Sequence, residues 1–277
     1  MVIDFHVHPL RWQGGSASLN GLLSEFWTAA ELQTMVENCA TGESFAQFLR
    51  AQGVDHAVIL AENTPTTGIF NNEDVLALCR GVDGLIPFGT VFPGLSPDLA
   101  RYAEDLVARG MRGFKLYPTY NLFYTNDPVL YPLYAKAQEL GVPIMVHTGS
   151  SVFTGSRMKY GDPLTLDDVA VDFPRLKIVV SHAGRPFWFD HAEFLARYHE
   201  NVYLDLAGLP PKNLLSYLPN LHRLTSKVVF GSDWPGAPSI ASNLQAMRDL
   251  PLPAEALERI LGANAARILG VAQPGSD

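Results

Sequence analysis

Short continuous apolar runs alternate along the chain with longer stretches whose apolar residues recur at helical spacing. The first run, Val2-Ile3-Asp4-Phe5-His6-Val7-His8, reads as a buried strand. Further strands are expected at residues 55–60, 85–92, 113–117, 143–147, 177–182, 202–206 and 227–233. Helices are expected between them at residues 43–53, 72–80, 96–110, 127–141, 164–173, 187–198 and 211–221, and two more close the chain at 239–250 and 253–269. Ser96-Pro97 and Asp127-Pro128 each place a capping residue before a proline suited to the first helical position. Residues 9–42 lack a clear period and carry Trp12, Phe26 and Trp27. They read as a long irregular insertion, either a lid or pocket wall, or a packed surface excursion without substrate contact. Residues 271–277 read as a frayed tail.

Eight strands alternating with helices, the strands mostly apolar throughout, indicate a parallel sheet covered on both faces. The expected fold is α/β, a single (β/α)8 TIM barrel over residues 1–270. A doubly wound open sheet is the rival, but no Gly-rich turn follows the first strand, where His8-Pro9 stands instead.

Composition narrows the partners. A 47% hydrophobic content in 277 residues supports a large core, and the net charge of −8 argues against nucleic acid. A local cationic pocket for an anionic small molecule is still compatible with that charge. No apolar run approaches the ~20 residues of a membrane span. The first strand begins at Val2, which leaves no room for a signal peptide. Cys39 and Cys79, in no Cys-x-x-Cys spacing, read as thiols in a reducing compartment. A cytoplasmic protein is expected, with no membrane partner; a monomer and a homo-oligomer are both open.

The chemistry gathers at the carboxyl ends of the strands, where barrels place their active sites. His6 and His8, two residues apart on one strand, share a face. His147 ends the fifth strand, His182 the sixth and Asp233 the eighth. Each alone reads as a hydrogen-bonded structural residue, but four such sites, each following an apolar strand, suggest a metal site. Neutral imidazoles with a carboxylate suit zinc, and manganese or iron less exclusively.

With Asp4-Phe5-His6-Val7-His8-Pro9 at the start, the strand-end histidines, Gly231-Ser232-Asp233-Trp234-Pro235 and the closing Gly262-x-Asn264-Ala265-x-Arg267, nearly the whole chain resembles the amidohydrolase superfamily. It is most similar to the branch containing aminocarboxymuconate-semialdehyde decarboxylase. The resemblance implies metal ligation by His6, His8, His147 and Asp233. His182 becomes an acid/base beside the metal or a ligand to a second ion, and Asp233 a proton shuttle. Lys115-Leu116-Tyr117-Pro118 resembles the fourth strand of dihydroorotases, whose lysine is carboxylated and bridges two metals. Three readings of Lys115 follow: a bridging carbamate, a cation for a substrate carboxylate, or a structural lysine at the barrel mouth. One or two ions are therefore expected.

Tyr117 shares the strand face of Lys115. Arg157, Arg185 and Trp188 are candidates to bind substrate, against readings as solvated loop charge or helix start. Asp205 supports the site or is simply structural. His56, His191, His199 and His222, at helix or loop positions without partners, are read as non-catalytic. Two activities fit. The first is metal-dependent hydrolysis of a small carboxylated lactone, ester or amide. The second is non-oxidative decarboxylation of an aromatic or muconate-type acid.

Overall fold

In a computed structural model that describes residues 1–10, 15–236 and 239–272, the strands in chain order are β1 (Ile3–Val7), β2 (His56–Leu60), β3 (Glu62–Thr64), β4 (Gly68–Phe70), β5 (Leu85–Gly89), β6 (Gly113–Leu116), β7 (Ile144–His147), β8 (Ile178–Ser181), β9 (Val202–Asp205) and β10 (Val228–Val229). Eight of them pair in parallel in the order β1-β2-β5-β6-β7-β8-β9-β10, and β3 and β4 form a separate antiparallel hairpin. The last strand returns to the first: Phe5 N donates to Phe230 O and Asp233 N to His6 O, each at 2.9 Å, and His8 N donates to Trp234 O at 2.9 Å. The sheet is thus closed, and the fold is the (β/α)8 TIM barrel expected from the alternation.

The continuous apolar strands are explained by two covered faces. Val58, Leu60, Phe88, Met145 and Val179 point inward with Ile3 and Phe5, and Ala265, Ile268 and Leu269 pack against this interior set. Ala57, Ile59, Ile144, Val146, Ile178 and Val180 face the surrounding helices. Strand β1 departs from strict alternation. Between Asp4 and Val7 it spends three residues where β2 spends two, Ala57 to Ile59. This bulge lets Ile3 and Phe5 fill the barrel, moves Val7 to the outer set, and still turns His6 into the mouth.

The helices are α1 (Ala17–Phe26), α2 (Ala29–Asn38), α3 (Gly42–Ala51), α4 (Asn72–Cys79), α5 (Leu99–Ala108), α6 (Pro118–Asn121), α7 (Tyr131–Leu140), α8 (Leu166–Asp172), α9 (Phe189–Tyr198), α10 (Leu214–Tyr217), α11 (Ile240–Arg248), α12 (Ala254–Glu258) and α13 (Asn264–Leu269). Several expectations are corrected. The supposedly irregular residues 9–42 contain α1 and α2. Ser16 caps the first, and Thr28 with Glu31 forms a capping box on the second. Asp98, not Ser96, caps α5. A 3-10 turn, Pro128–Leu130, follows Asp127 before α7 begins. Residues 211–221 give only the short α10 between two 3-10 turns. The last strand is cut to Val228–Val229 because the chain beyond it leaves regular pairing. Trp12 and residues 273–277 of the tail lie outside the described residues. Among the described residues no helix is long and apolar enough to cross a membrane.

Candidate active site

At the carboxyl-terminal mouth, a cavity of about 280 Å³ is lined by His6, His8, Lys115, Tyr117, His147, His182, Arg185 and Asp233. Glu62 from the hairpin joins them, and Leu19, Leu22, Leu23, Phe70 and Phe153 add an apolar part to the lining. The local backbone is bent to present these groups. His182 (φ 61°), Ala183 (φ 46°) and Asp233 (φ 62°) are left-handed without being glycine, a conformation costing roughly 1–3 kcal/mol per residue. Asp233 is held there by its N–H on His6 O at 2.9 Å and by Gly236 N, which donates to its carbonyl at 2.7 Å. Two glycines make room. A Cβ at Gly231 would strike the Asp205 carboxylate, and one at Gly208 would strike the Arg185 guanidinium.

Partners fix the histidine tautomers. Asp205 Oδ2 lies 2.7 Å from His6 Nδ1, so that nitrogen donates and Nε2 is left as an acceptor. That Nε2 stands 3.2 Å from His8 Nε2 and 3.4 Å from Asp233 Oδ1, and His8 Nε2 is 3.7 Å from the same oxygen. On the other side, Ala207 O is 2.8 Å from His182 Nδ1, so His182 Nε2 accepts from His147 Nδ1 at 3.2 Å. His147 Nε2 is then a lone-pair nitrogen, buried and without a hydrogen-bond partner.

Burial, and next the nearby Lys115 charge, bring His8 down to about 3 and hold His6 and His147 well below the usual imidazole range. Burial, followed by the charge of Arg185, does the same to His182. All four are neutral, as metal ligation requires. His6, His8 and Asp233 can hold an ion, their ligand atoms lying within 4.8 Å of one another. His6, His182 and Asp205 form a second such group, but there the Asp205 oxygen is already spent on His6 Nδ1. Converging acceptors and an orphaned buried nitrogen fit a cation better than an apolar core.

Lys115 is fully buried; its Nζ donates to Ser181 Oγ at 2.7 Å and lies 3.5 Å from His6 Nε2. Burial lowers its pKa, and the charges of Asp205, Asp233 and Glu62 oppose that shift. Among the described residues no carboxylate lies within 4.0 Å of this ammonium. Arg185 Nη1 donates to Gly208 O at 2.8 Å, and Nη2 is 3.6 Å from Asp233 Oδ2. Tyr117 donates its hydroxyl to Ala61 O at 2.9 Å.

The structure thus brings together His6, His8, Lys115, Tyr117, His147, His182, Arg185 and Asp233. It does not bring in Arg157 or Trp188, neither of which lines the cavity. Arg157 binds Thr119 O through its backbone N–H, and Trp188 is the half-buried N-cap residue of α9. Of the four histidines set aside, His56 opens β2 rather than lying in a helix or loop. His191 and His199 do have partners, Asp162 at 2.9 Å and Asp167 at 2.6 Å, outside the cavity lining. Glu62 and Tyr120 line the cavity and had no signal as site residues. Leu19 to Leu23 gave a helical apolar face that, with Ser16 as cap, was readable in the sequence.

The profile of the amidohydrolase family matches residues 3–271. An uncharacterized TIM-barrel protein from Bordetella bronchiseptica superposes with a TM-score of 0.81 at 24% identity, over 98% of each chain. A probable 2-pyrone-4,6-dicarboxylic acid hydrolase from Acinetobacter baumannii, solved with citric acid bound, gives 0.69 at 18% identity, covering 97% of this chain and 99% of that one. A 5-carboxyvanillate decarboxylase from Novosphingobium aromaticivorans, complexed with manganese and a nitrobenzoic acid, gives 0.71 at 15%, covering 98% and 96%. With the family profile spanning nearly every residue from the first strand to the last helix, the chain belongs to the amidohydrolase family and is an enzyme.

Proposed function

We propose that the protein is a metal-dependent hydrolase that opens a lactone, ester or amide bond in a small carboxylated molecule. The observation that carries this is the division of the Asp233 carboxylate. Its Oδ1 lies 3.4 and 3.7 Å from the Nε2 atoms of His6 and His8, while its Oδ2 faces Arg185 Nη2 at 3.6 Å and His182 Nδ1 at 3.9 Å. One carboxylate therefore borders both the ligand cluster and the group best suited to hold a substrate.

His6, His8, His147 and Asp233 would hold a single divalent ion. Zinc suits this donor set, and manganese and iron are compatible. When bound, such an ion lowers the pKa of water toward about 7 and polarises a carbonyl. The chain's own residues do the rest. Asp233 takes the proton of the attacking water and returns it to the leaving atom. His182, fixed by Ala207 O, holds His147 in its ligating tautomer. Arg185 and Lys115 receive the substrate carboxylate, which balances the buried ammonium. Leu19, Leu22 and Phe153 cover the substrate and exclude bulk water.

One observation favours decarboxylation of an aromatic or muconate-type acid as a second reading. Lys115 and Arg185 both line a cavity with an apolar wall, so a carboxylate on a flat apolar body fits the same space. Turnover of a panel of carboxylated lactones, esters and amides in 18O-labelled water separates the two. Hydrolysis places solvent oxygen in the organic product, and prior removal of metal with a chelator abolishes turnover. An organic product free of solvent oxygen, formed with release of carbon dioxide, overturns hydrolysis.

A further inference from the structure

Each histidine of the first strand has a carboxylate on the ring nitrogen that faces away from the ligand cluster. For His6 it is Asp205, at 2.7 Å. For His8 it is Glu62, whose Oε2 lies 3.4 Å from Nδ1. We infer that Glu62 is a positioning residue for His8, holding its Nδ1–H so that Nε2 is presented to the metal. This rests on the metal-dependent function proposed above.

Glu62 does not belong to the barrel. It opens the β3–β4 hairpin, and its second oxygen accepts from Thr67 Oγ1. Thr67 Oγ1 in turn accepts from Thr64 Oγ1 at 2.6 Å, and Thr64 Oγ1 accepts from Thr67 N at 3.1 Å. The chain of donors thus runs one way, toward the carboxylate. The hairpin is tied to the insertion as well: Ser16 N donates to Thr67 O at 2.9 Å and Ser16 Oγ to Thr66 O at 2.7 Å, while Ser16 caps α1. The carboxylate is therefore held by the same segments that wall the cavity.

The placement of the Glu62 carboxylate 3.4 Å from His8 Nδ1 favours one tautomer. With Nδ1–H turned to Glu62, His8 offers a lone pair at Nε2, the atom 3.2 Å from His6 Nε2 and 3.7 Å from Asp233 Oδ1. The other tautomer would direct an N–H into the ligand cluster and set a carboxylate against a lone pair. Outer partners of metal-ligating histidines fix ring orientation in this way, and losing one typically weakens metal affinity about 10–100-fold.

The test is a Zn²⁺ titration of the metal-free full-length protein against a competing chelator, with the Tm of each metal-free sample measured alongside. Glu62→Ala is expected to weaken Zn²⁺ binding by about 10–100-fold with little change in Tm. Glu62→Gln, which keeps an acceptor oxygen, falls between alanine and wild type, and carries the test if the alanine variant does not fold. An unchanged dissociation constant in whichever variant folds overturns the assignment, as does a lower Tm without any change in the constant. Absence of Zn²⁺ uptake by the wild type brings down the proposed function and this assignment together. Uptake by the wild type with no loss in the variants overturns the assignment alone.

Discussion

Asp233→Asn is expected to lower kcat/KM by about 10²–10⁴-fold, the range for loss of a general acid/base. Asparagine keeps the shape of the side chain but cannot carry a proton between water and leaving group. Three imidazoles remain, so metal content should stay close to the wild-type value while activity falls. The backbone at 233 is left-handed (φ 62°), and asparagine tolerates that region better than most residues, so the fold is preserved. Steady-state kinetics with metal analysis on the same preparation checks this. Near-wild-type kcat/KM would remove Asp233 from the proton path, and parallel loss of metal and activity would reduce it to a ligand.

The second large effect concerns Lys115. It is wholly buried among inward-facing side chains, with a hydroxyl as its hydrogen-bond acceptor and no carboxylate within 4.0 Å among the described residues. An ammonium so placed is costly to the fold. Lys115→Met keeps the length of the chain and removes the charge. Stability is therefore expected to be unchanged or higher by about 1–4 kcal/mol, as for other buried charges replaced by apolar residues. Activity should fall about 10²–10³-fold, the usual loss for one preorganised cationic or hydrogen-bonding contact. Urea denaturation and kinetics on one variant read both. A large loss of stability would make Lys115 a structural lysine, and unchanged activity would free it of any substrate role.

Some of this site was legible from single positions and some was not. His6, His8, His147, His182 and Asp233 stood out because each is a polar residue closing an apolar strand, and the barrel brings strand ends together. What loops do is harder to read. Arg185 and Arg157 look equivalent in sequence, yet a left-handed turn at His182 and Ala183 carries Arg185 into the mouth, and Arg157 lies outside the cavity. Neither residue type announces that conformation, as glycine would. Glu62 was silent for a different reason: its strand is three residues long, too short for any period to show. The helices α1 and α2 were missed although Thr28 and Glu31 form a capping box at the required spacing. Each helix is only ten residues long, too short for its apolar period to stand out. The bulge in β1 is invisible in sequence, since simple alternation would have set His6 opposite Ile3 and Phe5, whereas all three face inward.

We propose that the strand-end histidines hold a catalytic metal. The decisive comparison is the metal content of protein purified without chelators against that of His6→Ala purified in parallel. About one divalent ion per chain is expected in the wild type, with clearly less in the variant, which loses the imidazole central to the cluster. No metal in the wild type, or equal content in both proteins, would contradict it.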